Sequence, residues 1–144
     1  MSIPVIPPLH FSPDHLHPIL VNFTAALVPA SVFSDLAGRI LRKPRLHAAA
    51  WWMLVYAAAI SPLTALAGLW WKHSLGDVLP PDLILEHQVL GIALAIAVIV
   101  MAVWRYAIYR KEKVPGWGYL VTGISAVLLL LIQGNLGGAM MFGN

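Results

Sequence analysis

Two histidines, His17 and His87, carry the chemistry that this sequence has to offer. His17 stands immediately before Pro18 at the head of the first long apolar run, and His87 lies a few residues into the third. A neutral imidazole supplies one N–H donor and one lone pair. Two such rings on different helices at one depth suit two kinds of cofactor. They could be the axial ligands of a haem b, whose iron takes a nitrogen from each side, or they could hydrogen-bond the two carbonyl oxygens of a quinone headgroup. Asn22, about 7 Å further along the first helix at 1.5 Å per residue, and Gln133 and Asn135 in the last apolar run add amides to the same layer. Gly91 and Ala95 follow His87 at helical spacing and leave a small-residue face that could admit a flat macrocycle, which Leu94 would narrow.

The plain alternative is interfacial histidines bonded to water and headgroups, with Asn22 bridging helices through a hydrogen bond of about 0.6 kcal/mol. Haem propionates favour cations, and this layer offers only Lys72 and histidines, His73 among them. Asp14, Asp77, Asp82 and Glu86 lie nearby without the spacing of a metal site. The chain has no cysteine, which excludes disulfides, cysteine-ligated iron–sulfur clusters and thiolate zinc sites. It has no G-x-S-x-G elbow, phosphate loop, H-E-x-x-H or paired carboxylates within its apolar runs, so no catalytic motif of its own.

The elements that must position these groups are transmembrane helices. Of 144 residues, 60% are hydrophobic and only 10% charged, against roughly 25% charged in soluble domains, and the mean hydropathy is +0.80. At about 20 residues per span there is room for four. They are expected at about 16–40, 48–71, 83–109 and 116–137, after an extended, proline-rich arm over 1–15 that lacks the basic start of a secretory signal. Pro18 fits a first helical turn, Pro62 predicts a kink in the second span, and "GRILRKPRLH" reads as the loop between the first two. Asp82, with Glu86, suits the start of the third helix. The fold class is therefore an all-α, integral membrane four-helix bundle over 16–144, antiparallel in up-down-up-down order because the loops are short.

Net charge +3 is explained by topology rather than by nucleic acid, for which no clustered basic face is present. Arg39, Arg42, Lys43, Arg45, Arg105, Arg110, Lys111 and Lys113 fall on one side and only Lys72 on the other, which places both termini outside, on the periplasmic side of a bacterial inner membrane. Trp51, Trp52, Trp104 and Trp117 at one level, and Trp70 and Trp71 at the other, form aromatic belts in the bilayer. Ala57, Ser61 and Ala65, and Gly134 and Gly138, have the spacing that lets helices approach. Asp35 and Arg39 are spaced to pair along one helix, and Arg105 is expected to reach the inner headgroups.

His17-Pro18 followed by Val21 and Phe23, Thr64 and Gly68 before Trp70-Trp71, His87, and Gly134, Gly137 and Gly138 together resemble the bacterial family of membrane proteins known as domain of unknown function 2231. The resemblance runs from about residue 16 onward. Two family features are replaced: Asn22 stands where a second histidine is frequent, and Ala139 where an acid often follows the paired glycines. The resemblance implies a four-helix membrane fold. It also implies a redox setting, because similar domains occur beside sugar dehydrogenases, Rieske-type proteins and c-type cytochromes. The resulting expectation is a subunit of a larger redox membrane complex or dehydrogenase that serves electron transfer through haem b or a quinone at His17 and His87. A cofactor-free anchor or assembly subunit is the alternative, and an oligomeric transporter or channel the weaker one.

Overall fold

Hydropathy and proline placement set the architecture. The computed structural model describes residues 16–75 and 80–142. It contains α1 (Leu16–Leu41), α2 (Pro44–Leu75), α3 (Pro81–Arg110) and α4 (Trp117–Phe142). All four are long and apolar enough to cross a membrane. Each packs on two neighbours in a closed ring, α1 on α2, α2 on α3, α3 on α4 and α4 on α1. The pairs run antiparallel: the start of α1 meets the end of α2 where His17 bonds Thr64, and the start of α3 meets the end of α4 where His87 bonds Gln133. The arm over 1–15, with Asp14 and His15, lies outside the described residues, as does Asp77.

The expected loop over 38–47 is much shorter than its composition suggests. Only Arg42 and Lys43 separate α1 from α2, because Pro44 fits the first turn of α2, where its missing N–H costs nothing. Arg42 turns the chain with φ 53°, and Lys43 N–H closes back on Gly38 O at 3.0 Å. The same device ends α3, with Glu112 at φ 52° and Lys113 N–H on Ile108 O at 3.2 Å. Both are left-handed helix stops, a conformation usually left to glycine. Pro81 opens α3 at its first turn without a side-chain cap. α2 runs through Pro62 as a single helix. The ring of Pro62 removes the donor for Ala58 O, and Ser61 Oγ donates to that carbonyl at 3.4 Å instead.

The core joins Val28 and Val32 of α1, Leu54 and Ala57 of α2, Val98 and Met101 of α3, and Leu120, Ala126 and Val127 of α4. Gly123 lets α4 close on it: a Cβ there would stand 2.9 Å from Val32 and 3.3 Å from Met101. Gly134 and Gly138, expected to mediate close approach, face open space, and Gly137 takes that part against His87. Large apolar side chains such as Phe33, Leu66, Ile96, Val103 and Leu131 are exposed around the bundle, as a lipid-facing surface requires.

Candidate functional site

At the end of the bundle that holds the start of α1 and the end of α4, three polar side chains are each seated on a glycine of another helix. The His17 ring lies over Gly68 of α2, where an added Cβ would come within 2.8 Å of Cε1. Gln133 of α4 lies over Gly91 of α3, within 2.9 Å of such a Cβ, and the His87 ring lies over Gly137 of α4, at 3.3 Å. The glycines make the room that polar side chains need to turn inward. His17 and His87 meet edge to face, with ring centroids 6.2 Å apart and planes at 81°. Trp71 tilts against His17 at 5.9 Å.

Hydrogen bonding fixes the protonation of these rings. A carbonyl oxygen only accepts, so the 2.9 Å contact of His17 Nδ1 with Thr64 O requires an N–H at Nδ1. In the neutral ring the lone pair is then on Nε2. Thr64 is held in turn: its hydroxyl donates to Ile60 O at 3.0 Å and stands 3.4 Å from that of the buried Thr24.

Gln133 Nε2 donates to His87 O at 3.0 Å, which fixes which end of the amide is nitrogen. Its second N–H points at His87 Nε2, 3.1 Å away, so Nε2 accepts and the neutral His87 ring carries its proton on Nδ1. That Nδ1 and Gln133 Oε1 are buried without a hydrogen-bond partner. One buried donor and one buried acceptor thus stand unpaired in the same cluster, where most native structures leave few.

Of the residues expected at this site, His17, His87, Gln133 and Gly91 come together, and Asn22 does not. Asn22 is exposed on the outer face of α1, and no hydrogen bond from it is present among the described residues. Thr24 is the α1 residue that turns inward beside Thr64. Gly91 is not an open slot, because the Gln133 amide fills the space above it. Asn135, His73, Asp82 and Glu86 are exposed. Lys72 Nζ donates to Gln88 Oε1 at 2.7 Å and ties the end of α2 to the start of α3. Among the described residues, no group of three or more His, Asp or Glu is placed to hold a metal ion.

A second polar cluster, which the sequence reading did not anticipate, lies at the opposite end. Asp35, fully buried, accepts from Arg105 Nε at 2.9 Å, Arg105 Nη2 at 3.0 Å and His47 Nδ1 at 2.7 Å. It therefore does not pair with Arg39. That guanidinium instead donates to Pro115 O at 2.9 Å and lies over Trp117 at 5.0 Å, joining α1 to the entry of α4. Nor does Arg105 reach outward to headgroups: only 3% of it is exposed. A charge inside a membrane bundle is expected to find such a partner, and the planar fork of Arg105 meets both carboxylate oxygens.

Compared with known proteins, residues 13–144 match the family model described as predicted membrane protein (DUF2231). No curated protein and no solved structure matches the chain.

Proposed function

The chain belongs to the DUF2231 family of predicted membrane proteins, and we propose that it is a redox-associated membrane subunit in which His17, His87 and Gln133 hold the headgroup of a quinone or its quinol. The observation that carries this reading is the unpaired donor at His87 Nδ1 beside the unpaired acceptor at Gln133 Oε1. Each such atom costs about 1–3 kcal/mol when left alone in a buried place. A hydroxyl both accepts and donates, so it has the polarity that the two atoms call for.

Water would satisfy the same two atoms, and the third group favours a headgroup. Among the described residues His17 Nε2 has no hydrogen-bond partner, which leaves its lone pair for a second hydroxyl. A quinol brings two hydroxyls on one apolar ring, with a tail that belongs in the bilayer. When bound, it supplies two-electron, two-proton chemistry. In that setting His17 Nε2 would accept the hydrogen bond of one hydroxyl, His87 and Gln133 would orient the headgroup, and Trp71 would wall the ring. A larger redox complex or dehydrogenase would be the partner that exchanges electrons with it. With the basic loops cytoplasmic, the site faces the periplasm of a bacterial inner membrane.

Haem b suits the same residues less well. Axial ligation requires a lone pair from each ring, yet that of His87 is engaged by the Gln133 amide, and Gln133 occupies the space over Gly91.

The test is photolabelling of the reconstituted protein with an azidoquinone, followed by peptide mapping. Label on the segments that carry His87 or Gln133, displaced by excess quinol and lost in His87→Ala, is the expected result. Label spread over the lipid-facing surface and indifferent to quinol would overturn the proposal. A stoichiometric partner retained without specific labelling would favour the anchor reading.

A further inference from the structure

We propose that the opposite end of the bundle binds an anionic phospholipid by its headgroup, in the groove between the start of α2 and the end of α3. This site is independent of the quinone reading. The groove has a volume of about 440 Å³, and its lining includes His47, Trp51, Arg105, Tyr109, Arg110 and Lys113.

Charge selects the ligand. Arg105 is spent on Asp35, so that pair contributes no net charge. Arg110 Nη1 stands 3.3 Å from Tyr106 Oη and its guanidinium lies 5.9 Å over that ring, and among the described residues neither Arg110 nor Lys113 has an ion-pair partner. Glu112 also lines the groove and offsets one of these two cations. One positive charge is left over, and a phosphodiester carries one negative charge.

Hydrogen-bond polarity narrows the choice further. His47 Nδ1 gives its proton to Asp35, so the neutral ring keeps its lone pair on Nε2. Among the described residues that atom has no hydrogen-bond partner, and the ring lies flat over Gly38 of α1 while lining the groove. It accepts from a hydroxyl, which a headgroup such as glycerol provides and a methyl ester does not. The location favours a lipid over a soluble phosphate ester. Trp51 and Tyr109 stack at 5.8 Å with planes 3° apart on the wall, as aromatic residues do at headgroup level. Trp52, Tyr56 and Val103 on the same two helices are exposed and offer apolar surface to acyl chains.

The experiment is native mass spectrometry of the full chain extracted from bilayers of phosphatidylglycerol, phosphatidylmethanol and phosphatidylcholine in equal amounts. The expected result is one retained phosphatidylglycerol per chain, with phosphatidylmethanol about fivefold weaker, the worth of one net hydrogen bond, and phosphatidylcholine lost. The pair Arg110→Ala with Lys113→Ala should weaken retention about twenty-five-fold, at roughly fivefold per basic residue. Lys111→Ala, which removes a neighbouring charge outside the groove, should leave retention unchanged. Equal retention of phosphatidylglycerol and phosphatidylmethanol would overturn the proposal, as would a Lys111→Ala loss equal to that of the double variant. Release of the lipid by millimolar glycerol phosphate would assign the site to a soluble ester and overturn it too.

Discussion

Asp35→Asn should be among the most damaging single substitutions in this chain. The carboxylate is fully buried and accepts three bonds, two from Arg105 and one from His47, at 2.7–3.0 Å. Asparagine keeps one oxygen and removes the charge, which strands a guanidinium that is itself only 3% exposed. Breaking a buried pair in this way costs about 3–5 kcal/mol, a large share of the roughly 5–15 kcal/mol that holds a domain folded. Replacing both partners by apolar groups, Asp35→Leu with Arg105→Met, removes both desolvation penalties together. What remains is the loss to His47, whose Nδ1 and carbonyl oxygen both lose partners, at about 1–3 kcal/mol. The double variant is therefore expected to be more stable than Asp35→Asn. Equilibrium unfolding in mixed detergent and sodium dodecyl sulfate micelles, followed by far-ultraviolet circular dichroism, measures all three proteins. An Asp35→Asn cost below about 1 kcal/mol, or a double variant less stable than the single, would refute the argument that desolvation dominates here.

Other expectations follow from the glycine seats and the helix stops. Gly91→Ala places a Cβ 2.9 Å from Gln133 Nε2, so the amide must give up its bonds to His87. The expected cost is about 1–2 kcal/mol for two neutral hydrogen bonds in the same unfolding assay, with loss of azidoquinone labelling. Gly68→Ala meets a stiff ring rather than a flexible tip, with Cε1 at 2.8 Å and Nδ1 at 3.0 Å. It should cost about 1–3 kcal/mol and release His17 from Thr64. Arg42→Gly should stabilise the protein by up to about 1 kcal/mol, because φ 53° suits glycine better than arginine, and a higher unfolding midpoint reads this directly.

The four spans were legible because bilayer thickness demands long apolar runs, and their ends were blurred where prolines start helices inside basic segments. Pro44 shows this: the basic residues around it suggest a loop, whereas it opens α2. The histidine pair was legible from depth alone. Depth does not say which way a side chain points, and Asn22 failed on that account. At 100° per residue it lies about 140° round the helix from His17, whereas Thr24 lies about 20° away, and Thr24 is the one that turns inward.

The same rule exposes what was missed. Asp35 follows His17, and Arg105 follows His87, by eighteen residues, about five turns at 3.6 residues per turn. Each pair therefore shares one inward face, with histidines at one end of the bundle and the ion pair at the other. Local spacing pointed Asp35 to Arg39 instead, since a partner on another helix leaves no mark in sequence separation. The unpaired atoms at His87 and Gln133 depend on rotamers and amide orientation, which no sequence pattern encodes.

Quinol binding depends on the protonation of two rings, and ¹⁵N solid-state NMR of histidine-labelled protein in bilayers reads it, with and without a short-chain quinol. Neutral His17 and His87 should both be Nδ1–H forms, with quinol-dependent shifts at His87 Nδ1 and His17 Nε2 while His47 stays unmoved. An Nε2–H form of His87, or spectra indifferent to quinol, would contradict it.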